Sequence, residues 1–143
     1  MKYLNYKYIL LLLLSCFLVG CNLNNKVDLN HLDGYWEIKS VTFKDGKKKE
    51  YTFSDTIDFL SFTDSLTGIR KKMKPNFSGY FETSKDSERF EIKHENDSVN
   101  VYYETAFDSW KETILELTEN ELVVSNQKGA TYSYIRYQPI TVE

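Results

Sequence analysis

The stretch LDGYWEIKSV (residues 32–41) opens the folded part of the chain. Trp36 and Ile38 fall on one face of an extended strand, but the apolar positions then move to Val41 and Phe43. A slip of one residue inside a strand indicates a β-bulge, which bends the strand. The large indole of Trp36 is suited to filling the floor of a closed sheet. The stretch therefore predicts a bent first strand of a barrel.

The rest of the chain consists of short runs rich in Val, Ile, Phe, Tyr and Thr, separated by turn residues. RFEIKHE (89–95) and SVNVYYE (98–104) alternate in polarity and are joined by a short polar turn, which predicts a hairpin. Similar runs occur at 35–43, 49–53, 57–63, 76–83, 110–118, 121–126 and 131–138, with 69–74 ambiguous. Eight to ten closely spaced strands predict an all-β fold, an up-and-down antiparallel β-barrel over residues 32–143.

Three residues give the chain its resemblance to a known family. The sequence resembles the lipocalin superfamily, and most closely the lipocalin-like domains of small bacterial lipoproteins. In lipocalins a Gly-x-Trp begins the first strand and a basic residue near the last strand packs across the indole. Gly34 and Trp36 match the first element, and Arg136 in YSYIRY matches the second. The resemblance implies that these three residues form a structural signature at the barrel floor, with a cation over the indole face.

The first twenty residues have the pattern of a secretory signal peptide, with two lysines before an apolar run. The sequence LVGC, ending at Cys21, resembles the lipobox of bacterial lipoproteins, which implies cleavage after residue 20 and lipidation of Cys21. A competing cut before Cys16 would leave a shorter apolar run. Residues 21–31 then form a polar tether from the membrane. The residue after the cysteine is Asn22, which by resemblance to known sorting patterns predicts an outer membrane lipoprotein on the periplasmic face.

Composition excludes several functions. The chain has 18 Lys and Arg against 21 Asp and Glu, a net charge of −3, and this acidic balance disfavours nucleic-acid binding. Removal of the signal peptide leaves one cysteine, so neither a disulfide nor a thiolate metal site is expected. His31 and His94 are the two histidines and lie far apart, which predicts no metal site, no cofactor and no catalytic triad. The basic clusters at 47–49 and 70–74 are interpreted as solvated turns or edge-strand guards, with contact to anionic lipid headgroups as the alternative on a lipid-tethered protein.

Two functional hypotheses remain, and neither is enzymatic. In the first, the barrel binds a small apolar or amphiphilic molecule. In the second, it is a protein-interaction module of the cell envelope with a filled core. An interior void large enough for a ligand favours the first, and a filled interior the second. Glu112 and Glu116 are expected on a solvated face. The residues predicted to face the ligand are Phe77, Phe81, Phe90, Ile92, Val101, Tyr103 and Leu115.

Overall fold

The computed structural model describes residues 27–76 and 78–139. Within these ranges a 3₁₀ helix, Leu29–His31, precedes ten β-strands. The strands are β1 (Gly34–Thr42), β2 (Lys48–Glu50), β3 (Ile57–Phe62), β4 (Thr67–Pro75), β5 (Phe81–Thr83), β6 (Glu88–Glu95), β7 (Ser98–Glu104), β8 (Ser109–Leu117), β9 (Glu121–Asn126) and β10 (Thr131–Arg136).

Eight of these strands form a closed antiparallel barrel. The strand order is β10-β9-β8-β7-β6-β4-β3-β1, and pairing of β1 with β10 closes the sheet. The three-residue strands β2 and β5 add to β1 and β4 respectively. Closure leaves the eight long strands without a free edge. The predicted fold class is confirmed.

The bulge predicted in the first strand is present. The register of β1 against β10 shifts between Ile38 and Ser40. On one side of the shift Trp36 is fully buried, and on the other side Val41 is buried as well. The bulge therefore lets both apolar groups of the strand contribute to the core.

The prediction of a strand at 76–83 is mostly wrong. Asn76 begins a turn, because its side-chain oxygen accepts hydrogen bonds from the backbone N–H groups of Ser78 and Tyr80, both at 3.0 Å. Gly79 adopts a φ of +76° in this turn, a conformation that favours glycine. Only the last three residues of the run form a strand, whereas the ambiguous run at 69–74 lies wholly within β4.

The core fills the inside of the barrel and one of its ends. Trp36 Nε1 donates a hydrogen bond to the carbonyl oxygen of Leu32 at 2.9 Å, and both residues are almost fully buried at the end where β1 begins. We call this the floor. Leu29, in the 3₁₀ helix, packs against the core from the same end. Most of the predicted tether, including Cys21, and the whole predicted signal peptide lie outside the described residues.

Candidate functional site

At the floor, Arg136 lies over Trp36. The guanidinium carbon is 3.8 Å from the centroid of the indole ring. The same guanidinium donates hydrogen bonds to the carbonyl oxygens of Asp33 and His31, both at 2.7 Å, and of Glu119 at 2.9 Å. The bonds to His31 and Asp33 connect β10 to the segment that precedes β1. The contact expected from the family resemblance is confirmed.

Gly34 makes room for this arrangement. Its φ is +121°, and a Cβ built at this position would lie 2.6 Å from Arg136 Nη1. Any side chain at this position would therefore clash with the guanidinium. It would also force a non-glycine residue into an unfavourable backbone conformation. The three predicted signature residues thus act as one unit.

Above the floor, the barrel contains a buried ionic cluster centred on Arg70. Its Nε lies 2.5 Å from a carboxylate oxygen of Glu88, and its Nη1 lies 3.5 Å from one of Glu112. The Arg70 side chain is 12% exposed and that of Glu112 is 11% exposed. The guanidinium also lies over the ring of Tyr103, 4.3 Å from its centroid, and Tyr103 stacks on Trp110 at 5.1 Å. We call Arg70, Glu88 and Glu112, with their neighbour Asp58, the interior cluster.

Asp58 extends the interior cluster toward the opposite end of the barrel. It is 3% exposed and forms an ion pair with Lys72, whose Nζ lies 2.6 Å from Oδ1. The ammonium lies off the direction of an aligned hydrogen bond, so that oxygen has a charge partner but no well-aligned donor. The Lys72 side chain is 59% exposed. The interior thus passes from an apolar floor to a charged and solvated opposite end.

Burial and charge alter the pKa values of this cluster. Burial raises the pKa of the Glu112 carboxyl above its usual value, although the Arg70 cation opposes the shift. Burial alone would lower the pKa of Arg70, but the surrounding Tyr103, Glu112 and Asp58 and the hydrogen bond with Glu88 raise it, so Arg70 remains a cation. Burial likewise raises the pKa of Tyr103 and of Tyr134.

Four of the predicted ligand-facing residues do lie in the core: Phe90, Ile92, Val101 and Tyr103. They pack against other side chains, as the edge-on contact of the Phe90 and Tyr103 rings at 5.7 Å illustrates. The space at the level of the interior cluster has a volume of about 10 Å³. A small-molecule pocket usually has a volume of roughly 300–1,000 Å³, and about 10–15 Å³ holds a single water. This central space is therefore filled by the protein itself.

Leu115 does not face the interior. The register of β8 against β9 shifts between Ile114 and Glu116, which is a second bulge. Ile114 and Leu117 are buried on either side of the shift, while Leu115 is 49% exposed. Glu112 shares the inward face with Ile114, so its expected place on a solvated face is also wrong.

Phe81 lies on the outer surface. It stacks on Tyr35, with ring centroids 4.7 Å apart, and Tyr35 alternates along β1 with the inward-facing Trp36. Its ring also meets that of Tyr137 edge-on at 6.1 Å. The prediction that Phe81 faces the interior is wrong, because β5 is a short strand beside β4 and not a full strand of the barrel. Phe77 lies outside the described residues.

This outer aromatic cluster borders a cleft of about 210 Å³. Two large aromatic side chains at the cleft are mostly solvent-exposed, Phe53 at 72% and Tyr80 at 73%. The acidic residues Glu37 and Asp55 also line it. We call it the outer cleft, and its other lining residues are Ser54, Pro75, Asn76, Gly79, Phe81, Tyr137, Gln138 and Pro139.

A broader depression of about 860 Å³ is lined by residues from both faces of β4, β6, β7 and β8. Its lining includes the cations Arg89 and Lys111 and the anions Glu91 and Glu104 on the outer face, and Phe90, Tyr103 and Trp110 on the inward face. Charges of both signs are interspersed at positions that alternate with the buried core. This is the pattern of a solvated sheet face.

The interior cluster does not follow from the sequence. The basic run at 70–74 predicts solvated residues, which is wrong for Arg70, and Glu112 is expected on a solvated face. One signal was available: Trp110, Glu112 and Ile114 recur with the period of a strand and share one face. No comparable signal existed for Arg70, because its strand carries bulky residues on both faces.

Two further properties concern the described part of the chain. No group of three or more metal-ligating side chains there is arranged to hold an ion. Within residues 27–76 and 78–139, no helix is long and apolar enough to cross a membrane.

A closed eight-stranded antiparallel barrel with an arginine over the floor tryptophan defines the class of protein. The model of the lipocalin-like domain family matches residues 32–124, and the chain belongs to this family. A lipocalin-like protein from Bacteroides uniformis ATCC 8492 is 9% identical, with a TM-score of 0.48 over 75% of this chain and 99% of that one. An uncharacterized protein from Bacteroides eggerthii DSM 20697 is 16% identical, with a TM-score of 0.46 over 73% and 98%. No curated protein matches the chain.

Proposed function

We propose that this protein is a non-catalytic, lipid-anchored binding protein of the cell envelope that contacts its partner through the outer surface of the barrel. The observation that carries the proposal is the packed centre of the barrel, where the space beside the interior cluster measures about 10 Å³. Of the two functional hypotheses, this favours the interaction module.

The chemistry of the interior supports the same choice. Arg70, Glu112 and Asp58 are charged residues that lie inside the barrel. An apolar chain placed there would separate these ion pairs, and a buried charge that loses its partner costs about 3–5 kcal/mol. The exposed aromatic side chains at the outer cleft carry no comparable penalty. A partner would therefore bind to the outer surface of the barrel.

The N-terminal sequence supports the anchor and the location. The apolar run, the small residue at position 20 and Cys21 fit a lipoprotein signal, and the tether from 21 to 31 separates the acyl group from the barrel. Asn22 favours retention at the outer membrane, on its periplasmic face. The membrane is thus one partner of the protein, through the lipid.

Native mass spectrometry of the mature lipoprotein, residues 21–143, purified from its source envelope tests the proposal. We expect one species, with the acyl modification as its only added mass. Trp110 provides a second readout, because it stacks on Tyr103 inside the barrel and an entering ligand would change its fluorescence. Fatty acids should leave the emission of the wild type and of Trp110→Phe equally unchanged. A stoichiometric apolar molecule that co-purifies, or a saturable response that Trp110→Phe abolishes, would contradict the proposal.

A further inference from the structure

The outer cleft has the properties of a binding site and not of an ordinary solvated surface. Phe53 and Tyr80 are more than two-thirds exposed and line the cleft from two separate segments, one before β3 and the other before β5. Contiguous exposed apolar surface on a soluble domain commonly marks an interaction site. Phe81 and Tyr137, whose rings contact each other edge-on, also line the cleft.

The turn that presents Tyr80 is held in place. The backbone N–H of Asn76 donates to the carbonyl oxygen of Tyr80 at 3.0 Å, and the Tyr80 N–H donates back to the Asn76 side chain, also at 3.0 Å. The exposed ring therefore extends from a hydrogen-bonded turn. A rigid aromatic side chain loses little conformational entropy on binding, which favours its use as an anchor.

The negative charge of the cleft favours a positively charged partner. Glu37 and Asp55 line it, and neither forms a salt bridge with any residue in 27–76 or 78–139. Among the residues that the structure describes, no lysine or arginine lines the cleft. Complementarity of charge therefore calls for a cation on the ligand and opposes anionic amphiphiles such as fatty acids.

The size and the aromatic lining of the cleft further limit the class of ligand that it can bind. A volume of about 210 Å³ is small for a drug-sized ligand but is sufficient for one or two side chains. Aromatic-lined grooves are surfaces on which proline-rich segments dock, because the polyproline II conformation of such segments is preformed and little conformational entropy is lost on binding. The chain's own residues 140–143, Ile-Thr-Val-Glu, carry an acid and no cation, and so lack this complementarity.

We infer that the outer cleft binds an extended segment of a partner protein, in which proline or aromatic residues are flanked by lysine or arginine. Phe53 and Tyr80 contact the apolar residues of the segment. Glu37 and Asp55 form ion pairs with its flanking cations. The inference rests on the proposed function, whose partner class and contact surface it specifies.

Fluorescence anisotropy with the full chain in detergent tests the inference, using the labelled peptide GKPPWPPKG. We expect saturable binding with a dissociation constant below about 1 mM. Replacing both lysines of the peptide by glutamate should weaken binding about tenfold or more. Phe53→Ser and Tyr80→Ser should each weaken it about tenfold, as loss of an aromatic anchor does. Phe107→Ser is the matched control, because Phe107 is 99% exposed but does not line the cleft.

A photoreactive version of the same peptide locates the contact. Cross-links should fall on residues 53–55, 75–76, 79–80 and 137–139, and Glu37→Gln together with Asp55→Asn should reduce them. Absence of binding at about 1 mM peptide, or equal binding of the glutamate version, would overturn the inference. Cellohexaose that competes with the peptide would point instead to a carbohydrate site, which would overturn the inference but leave the non-catalytic binding function standing. Ligand entry into the barrel, reported by Trp110, would overturn the proposed function itself.

Discussion

The guanidinium of Arg136 lies flat over the indole of Trp36 at 3.8 Å and also donates hydrogen bonds to three backbone carbonyl groups. Two of these carbonyls, of His31 and Asp33, precede the first strand, and the third, of Glu119, precedes β9. One side chain therefore covers the floor tryptophan and joins the two ends of the barrel sequence. Burial lowers the pKa of Arg136, but from a value so high that the group stays charged.

This relationship predicts an order of stability losses. Trp36→Ala should lower the free energy of unfolding by about 3–5 kcal/mol, because it leaves a cavity at the floor that neighbours cannot fill. Arg136→Leu should cost about 2–3 kcal/mol, since it keeps apolar bulk but leaves three carbonyl groups without their charged donor. Urea denaturation measures both. Arg89→Leu, on the outer sheet face, is the matched control, and a loss at Arg136 no larger than at Arg89 would contradict the prediction.

A second prediction concerns Gly68, which lies in β4 opposite Phe90. A Cβ at this position would approach the Phe90 ring and the carbonyl oxygen of Ser61 more closely than packing permits. Gly68→Ala should therefore cost about 1–3 kcal/mol through overpacking. Phe90→Leu should make room, so the two substitutions together should cost less than the sum of their separate losses. Simple additivity would show that the ring does not limit this position.

The fold could be predicted from the sequence because its signals are local. The hairpin of β6 and β7 follows from alternation within two adjacent runs, and the first bulge follows from the slip between Ile38 and Val41. The interior cluster could not be predicted in this way. Arg70 is buried because Glu88 and Glu112, 18 and 42 residues away, lie beside it in the closed barrel. Pairing over such separations is set by barrel closure and leaves no periodic pattern.

Leu115 shows the limit of periodicity within a single strand. The run of β8 places an apolar residue at both Leu115 and Leu117, and only the bulge decides that the second one is buried. Leu117→Ala should therefore cost about 2–5 kcal/mol, as truncation of a core leucine does. Leu115→Ala should change the free energy of unfolding by less than about 0.5 kcal/mol. Equal losses would mean that the bulge is misplaced.

The anchor gives a prediction that does not depend on the barrel. Cys21→Ser should abolish acylation and move the protein from the membrane fraction to the soluble fraction of the envelope. Cys16→Ser is the matched control, because the competing cleavage site would require Cys16 to carry the lipid. Fractionation and metabolic labelling with palmitate measure the outcome. Loss of labelling in Cys16→Ser, with Cys21→Ser still membrane-bound, would assign the anchor to the other cysteine.

The interior cluster predicts a specific dependence of stability on pH. Because burial raises the pKa of Glu112, the folded protein holds this proton more tightly than the unfolded chain, whose carboxyl titrates near 4.5. The stabilisation from this group is therefore complete below the unfolded pKa and is lost as the pH rises through the folded pKa. Carboxyls whose pKa is lowered in the folded protein have the opposite effect: their contribution to stability increases as the pH rises. Glu95 is one of these, since Tyr102 and Asn100 donate hydrogen bonds to it.

Glu112→Gln isolates the contribution of the buried carboxyl. The variant keeps an uncharged, hydrogen-bonding side chain but cannot ionise, whereas Glu95 and the other surface acids remain in both proteins and cancel in the difference. The free energy of unfolding of the wild type minus that of the variant should decrease as the pH is raised from about 4.5 toward neutrality. Glu104→Gln, at an exposed position of β7, controls for the removal of one surface charge. A difference that instead increases with pH would mean that the attraction of Arg70 outweighs the burial of Glu112, and that the folded carboxyl is the stronger acid.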